Sequence, residues 1–194
     1  MTNFNFSLDS LHENGFFISD NFFPEKLANN LASSFNERNF ISSGIGSTKQ
    51  VNSSICKDSI SWIDNNEPSL IIQEYISFIN NLKNTLNENF FLNLNDFEAH
   101  YAHYFNGGFY KKHLDNIQGK NSRILTFITY FNKNWNPSHG GELVIYHQDN
   151  KIVVPPKFNT FVCFLSDSIE HEVLPSSTDR LSITGWLKRN SSVM

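Results

Sequence analysis

The residues with the clearest chemical potential in this 194-residue chain are a histidine and an aspartate two positions apart, His113 and Asp115. Residues i and i+2 of an extended strand point to the same face, so the pair places an imidazole beside a carboxylate. His171 could add a second imidazole, because it begins a strand-like segment after the apolar run 161–165. Two histidines and one carboxylate on one side of a metal leave its other positions open, as in non-haem Fe(II) sites. Taken alone, the pair could equally be a surface histidine beside a solvated aspartate.

A cationic side chain follows in the strand-like run 180–186. Alternation along that strand places Arg180 on the same face as Ser182, Thr184 and Trp186. Burying an unpaired guanidinium is very costly, so Arg180 needs an anionic partner. Its planar fork suits a carboxylate, which a small dicarboxylate ligand would provide. The alternative is a structural ion pair with Asp179 or Asp167.

These side chains need strands to position them, and the second half of the chain supplies short runs of β-branched and aromatic residues separated by turn signals. The predicted strands cover residues 97–104, 123–131, 142–147, 151–155, 160–165, 172–174 and 180–188. Six or seven short strands with frequent turns predict a β-sandwich or barrel.

The first half of the chain is predicted to be mainly helical. Apolar residues recur at helical spacing over 24–38 and again over 68–88. The intervening residues 42–61 are rich in Ser, Gly and Asn, and a loop of that length is uncommon unless it is functional. This segment is either a lid or a mobile insertion. We therefore expect one mainly β, α+β domain over 1–194, with helical support in 1–90 and a core in 97–188.

Together these motifs resemble the Fe(II)- and 2-oxoglutarate-dependent prolyl hydroxylases, in the branch of the hypoxia-inducible-factor prolyl hydroxylases and their bacterial relatives. The resemblance rests on several separated motifs in the same order, namely 60–63, 67–68, 104–110, His113-x-Asp115, 126–132 with Trp135, 140–143, 155–158, 171–175 and the Arg-x-Ser-x-Thr-x-Trp run 180–186. It implies a double-stranded β-helix, or jelly roll, with N-terminal supporting helices, and it makes 42–61 a substrate-covering loop.

The resemblance also implies roles for individual residues. His113, Asp115 and His171 would ligate Fe(II) and act as catalytic residues together with Arg180. Arg180 would hold the distal carboxylate of 2-oxoglutarate. The remaining cofactor-binding residues would be the hydroxyl-bearing Tyr130 and Thr184, Tyr104 near the mouth, and the wall residues Leu143 and Trp186, for which core packing is an equally good interpretation.

The activity implied is hydroxylation of a prolyl residue in a cytoplasmic protein, coupled to decarboxylation of 2-oxoglutarate to succinate and CO2. The cofactors would be Fe(II), 2-oxoglutarate and O2, with ascorbate as reductant. Two alternatives remain open. One is a hydroxylase of the same family acting on a free amino acid or another small molecule, and the other is a non-catalytic module that senses metal or 2-oxoglutarate.

The composition and charge of the chain argue against two kinds of partner, nucleic acids and membranes. A net charge of −4 and a pI near 5.9, without a basic cluster, argue against nucleic-acid binding. The sequence contains no apolar run long enough to span a membrane and no secretory signal at its start. Cys56 and Cys163 lie far apart, which favours reduced thiols and a cytoplasmic location. His100 and His103 would lie on opposite faces of one strand, where structural roles are expected.

Overall fold

The computed structural model describes residues 5–42, 57–116 and 122–190. In these ranges it contains three α-helices, which are α1 (Asn5–Asn14), α2 (Glu25–Ser34) and α3 (Leu70–Phe90), and short 3-10 turns at Phe35–Glu37 and Pro137–His139. The eleven strands of the described ranges are β1 (Phe16–Ser19), β2 (Ile41–Ser42), β3 (Ser59–Trp62), β4 (Asp96–Tyr104), β5 (Tyr110–His113), β6 (Arg123–Tyr130), β7 (Leu143–His147), β8 (Asn150–Val154), β9 (Phe161–Leu165), β10 (Glu170–Val173) and β11 (Arg180–Lys188). All the predicted strands are present, within a few residues at each end.

The strands form two antiparallel sheets. The major sheet has seven strands in the order β1-β9-β6-β11-β4-β3-β2, and the minor sheet has four in the order β5-β10-β7-β8. One face of the major sheet packs on the minor sheet, with Tyr104, Ile128 and Tyr130 meeting Leu143 and Ile145 in one apolar cluster. This is the jelly roll that the sequence predicted, with helices in support.

The other face of the major sheet carries the helices. Leu27 and Leu31 of α2, and Ile79 and Leu82 of α3, are fully buried against strand residues such as Phe127. The apolar spacing that predicted both helices therefore marks the faces that pack on the sheet. Pro24 lies directly before α2, where a missing N–H costs nothing, and α3 ends where Phe91 takes a left-handed conformation. No helix of the described ranges is long and apolar enough to span a bilayer.

Several elements were not predicted. Helix α1 and strands β1, β3 and β5 carry no strong apolar periodicity, and β10 begins at Glu170, two residues before the predicted start. Residues 43–56 of the proposed covering loop, which include Cys56, lie outside the described residues. The parts on either side are paired as β2 and β3, so the two ends of that loop are held together at the edge of the major sheet. Cys163 is a buried free thiol.

Candidate metal centre and carboxylate pocket

Strand pairing in the minor sheet brings the two histidines together. Strands β10 and β5 are antiparallel, and His171 lies directly opposite His113. Asp115 lies two residues beyond the end of β5, in a bend rather than on the extended strand that the sequence suggested. Its carboxylate is 3.5 Å from His113 Nε2 and 3.7 Å from His171 Nε2. One ligand atom from each of the three residues lies within 4.8 Å of the others, which is close enough for one metal ion.

Backbone carbonyls fix the orientation of both imidazole rings. His113 Nδ1 is 2.8 Å from the carbonyl oxygen of Lys111, and His171 Nδ1 is 3.2 Å from that of Ile169. A carbonyl oxygen can only accept, so each Nδ1 donates its proton, which leaves Nε2 as the nitrogen that can face a metal. Metal-binding histidines generally have their second nitrogen held in this way.

The carboxylate is anchored from the opposite side by the major sheet. Thr126 of β6 donates a 2.7 Å hydrogen bond to Asp115 Oδ2, and its hydroxyl lies 2.9 Å from that of Ser166. Burial raises the pKa of Asp115, but His171, His113 and Thr126 together hold that pKa well below its usual range. Burial lowers the pKa of His171 to about 4, although Asp115 opposes the shift. The site therefore offers an ionised carboxylate and a neutral imidazole, the forms that bind metals.

A second polar group lies at the start of β11, where Arg180 is the first residue of the strand. Arg180 is 2% exposed, its Nε donates to the carbonyl oxygen of Gly141 at 2.7 Å, and one terminal nitrogen is 3.3 Å from Ser182 Oγ. Its other terminal nitrogen and the hydroxyl of Tyr130 have no hydrogen-bond partner among the described residues. A buried polar atom left in that state costs about 1–3 kcal/mol. These two groups are therefore suited to a ligand oxygen.

The expected alternative for Arg180 was a structural ion pair. In the described part of the chain no carboxylate lies within ion-pair distance of it, and Asp179 instead lies 3.3 Å from His103. The guanidinium carbon is 4.8 Å from the ring centre of Tyr104 and 5.0 Å from that of Tyr130. Two aromatic rings thus hold the cation, while its charge stays available to an incoming anion.

One cavity of about 60 Å³ connects the two groups. It is lined by Asp58, His100, Tyr104, Tyr110, His113, Asp115, Ile128, Leu143, His171, Val173, Arg180, Thr184 and Trp186. The predicted site residues other than Tyr130 therefore line a single space, and Tyr130 is fully buried with its ring centre 5.0 Å from the Arg180 guanidinium carbon. Leu143 lines this cavity and also belongs to the apolar cluster between the sheets. It therefore has both the wall position and the core packing that were considered for it.

Residues 99–188 match the family model of the 2OG-Fe(II) oxygenase superfamily. The crystal structure of a prolyl-4-hydroxylase from Pseudomonas putida is 32% identical, with a TM-score of 0.88, over 95% of this chain and 98% of that one. The chain belongs to the 2OG-Fe(II) oxygenase superfamily. The sequence prediction of a relationship to bacterial and hypoxia-related prolyl hydroxylases is thereby confirmed.

Two further relatives place this oxygenase in the same branch. A prolyl hydroxylase from Trichoplax adhaerens, solved with a peptide of the hypoxia-inducible-factor oxygen degradation domain, is 26% identical over 95% of this chain and 88% of that one, with a TM-score of 0.85. Prolyl hydroxylase EGLN3 from Mus musculus is 41% identical over 85 residues, which are 42% of this chain. The match spans only 35% of the mouse protein.

The cofactors of this superfamily are Fe(II) and 2-oxoglutarate, with O2, and the residues of this oxygenase fit them. Two imidazole nitrogens and one carboxylate on one side of a space are the donor set that suits Fe(II). The unpartnered Arg180 nitrogen and Tyr130 hydroxyl suit the far carboxylate of a dicarboxylate. When bound, the metal and 2-oxoglutarate would activate O2, and O2 supplies the oxidising power to hydroxylate a C–H bond.

The cavity wall also includes residues that sequence reasoning passed over or assigned elsewhere. His100 was expected to be structural, yet it lies in the wall, whereas His103 lies on the opposite face of β4 beside Asp179. Tyr110, Ile128 and Val173 also line the cavity. Alternation along β4 from Tyr104 would have placed His100 on the cavity face, so a signal was present for that residue.

Proposed function

We propose that this oxygenase uses O2 to hydroxylate a prolyl residue of a cytoplasmic protein, coupled to oxidative decarboxylation of 2-oxoglutarate to succinate and CO2. The observation that carries the proposal is that the His113, Asp115 and His171 donor set and the unpartnered Arg180 group share one cavity. The prolyl hydroxylases among its relatives supply the substrate class. Ascorbate would serve as the reductant that keeps the metal active.

In this proposal the chain contributes positions and charges. The imidazoles of His113 and His171 and the carboxylate of Asp115 would take three metal positions on one side, because all three face the same point. Arg180 and Tyr130 would hold the far carboxylate of 2-oxoglutarate, with Thr184 adding a hydroxyl. A metal and 2-oxoglutarate bound in this cavity of about 60 Å³ would displace water from it, which protects a reactive centre from side reactions.

The decisive experiment maps hydroxyproline in the proteome of the source cell with and without this protein, by mass spectrometry. A peptide that gains one oxygen on proline only when the protein is present is then synthesised. Purified protein with Fe(II), ascorbate and 2-oxoglutarate should form succinate and hydroxylated peptide in equal amounts. Succinate formed only with a free amino acid would instead identify a small-molecule hydroxylase. Binding of 2-oxoglutarate without succinate release would identify a sensing module.

Two variants connect the activity to the site. Asp115→Ala removes the carboxylate from the proposed donor set, and turnover and metal binding should both be lost. Arg180→Ala should chiefly raise the concentration of 2-oxoglutarate required, because charge-assisted hydrogen bonds of this kind contribute about 1.5–3 kcal/mol each, or roughly a tenfold to hundredfold effect. Wild-type kinetics in both variants would show that the site is assigned wrongly.

A further inference from the structure

Besides the terminal nitrogen of Arg180, two ring nitrogens of cavity-lining residues have no hydrogen-bond partner in the described part of the chain. His100 Nδ1 and Trp186 Nε1 are buried and have no hydrogen-bond partner among the described residues. Both residues line the cavity that contains the metal donor set. They belong to neighbouring strands of the major sheet, β4 and β11, and their ring centres are 5.5 Å apart. The site thus has a second polar region that the metal and 2-oxoglutarate do not account for.

The position of His100 indicates contact with substrate rather than packing alone. It lies directly opposite Thr184 on one side and Trp62 on the other in the strand register. The ring of Trp62 is 4.9 Å away and is 47% exposed, so His100 lies between the surface and the deep end of the cavity. An apolar side chain would fill this place without leaving a polar atom unpaired.

The chemistry of the two nitrogens restricts what can satisfy them. An indole N–H only donates, so Trp186 requires an acceptor, whereas a neutral imidazole nitrogen donates or accepts according to its tautomer. Burial lowers the pKa of His100 to about 4, so its ring is uncharged near neutral pH. Arg123, the cation stacked 3.5 Å from the Trp186 ring centre, is already paired with Glu98 at 2.7 Å. An uncharged group with an acceptor oxygen fits this region better than a free carboxylate.

A peptide group has these properties, because it offers a carbonyl acceptor and an N–H donor without net charge. We propose that His100 is a specificity-determining residue which, with Trp186, hydrogen-bonds to the peptide group adjoining the target prolyl ring. The inference rests on the proposed function and names the residues that would recognise the backbone of the polypeptide substrate, in addition to its prolyl ring. It also explains why a polar ring occupies a buried position between two tryptophans.

The test compares two substitutions at His100 with the synthetic peptide found by hydroxyproline mapping. His100→Leu should raise the KM for the peptide about tenfold, the effect expected for one lost hydrogen bond, and should change the KM for 2-oxoglutarate less than about twofold. His100→Asn keeps a polar atom near the position of Nδ1 and should recover most of the peptide affinity. Calorimetric titration of each protein with the peptide, without O2, should show the same order of affinities.

Free L-proline is the second probe. The wild-type protein should prefer the peptide over L-proline, and His100→Leu should reduce the ratio of the two kcat/KM values about tenfold. His103→Leu is the matched control, since it lies on the same strand with its side chain on the other face, and it should leave the ratio unchanged.

Three outcomes decide the matter. An unchanged peptide KM in His100→Leu overturns the inference while prolyl hydroxylation by the wild type stands. Equal losses in the Leu and Asn variants also overturn it, because they indicate a packing role. If the wild-type protein hydroxylates no prolyl peptide, the proposed function itself fails.

Discussion

Thr126 connects the candidate metal centre to the interior of the major sheet. Its hydroxyl donates to Asp115 Oδ2 and lies within hydrogen-bond distance of Ser166, so a residue outside the proposed donor set fixes the orientation of a proposed ligand. Such supporting hydrogen bonds orient ligands and raise their affinity for metal. His171 and His113, together with Thr126, also hold the pKa of Asp115 well below its usual range, so the carboxylate stays ionised despite its burial.

Replacing Thr126 by valine should weaken metal binding about 10-fold to 100-fold, since the shape is kept and the hydrogen bond to Asp115 is lost. The affinity is measured by competition between the protein and a chromogenic chelator for Mn(II) or Fe(II). Thr129→Val is the matched control, because Thr129 is buried on the same strand and its hydroxyl has no partner among the described residues. Equal affinities in the two variants would show that the Thr126 hydroxyl does not support the ligand.

The residues of the site differ in how far sequence could identify them. His113, Asp115 and His171, with Arg180, were predicted because their chemical types and spacing are distinctive within a stranded pattern. His100 was not, because its importance comes from a nitrogen left without a partner. That property depends on every neighbouring side chain, so it emerges only from the packed structure.

Strand β11 organises the site at the scale of elements. It crosses the middle of the major sheet between β6 and β4, and one of its faces carries Arg180 at one end and Trp186 at the other. Gly185 interrupts the opposite face, where the ring of Phe127 occupies the space that a side chain would need. A Cβ at position 185 would lie 2.3 Å from Phe127 Cζ and 2.7 Å from the carbonyl oxygen of Glu98.

Gly185→Ala should therefore destabilise the protein by about 1–3 kcal/mol or more, because the clash involves backbone as well as a ring. Urea denaturation monitored by tryptophan fluorescence measures the change in the free energy of unfolding. Val153→Ala, on an exposed position of β8, should change it by less than about 0.5 kcal/mol. A Gly185→Ala protein as stable as the wild type would show that β11 and Phe127 can move apart freely.

The elements were predictable to different degrees for physical reasons. Strands such as β6, β9 and β11 are buried on both faces and have enough apolar and β-branched residues to be recognised. Strand β5 has the sequence Tyr-Lys-Lys-His, which shows no apolar alternation. It is a strand because β10 supplies hydrogen-bond partners, and this long-range pairing leaves no local pattern.

For the whole molecule, burying a neutral histidine links stability to pH. The folded-state pKa of His100 is lowered to about 4 by burial, whereas an unfolded histidine titrates near pH 6.5. Between pH 6.5 and 4 this histidine binds a proton in the unfolded chain but not in the folded one. The free energy of unfolding therefore keeps its full His100 contribution above pH 6.5 and loses it progressively as the pH falls toward 4.

His100→Leu should remove this contribution. Between pH 7 and 4.5 the variant should lose about 2 kcal/mol less free energy of unfolding than the wild-type protein, measured by urea denaturation of metal-free samples at each pH. The exposed His12→Leu is the control and should follow the wild type. Parallel pH profiles for all three proteins would show that His100 is not held neutral by the fold.

The distribution of the metal donors over the two sheets has a mechanical consequence. His113 and His171 belong to the minor sheet, whereas Asp115 is tied through Thr126 to the major sheet. A metal held by all three would cross-link the two layers of the sandwich, so the layers could not separate without losing a ligand. Because a ligand that binds only the folded state stabilises it by RT ln(1 + [L]/Kd), metal occupancy and resistance to unfolding would rise and fall together. Chelation would then loosen the sandwich as well as stop the reaction.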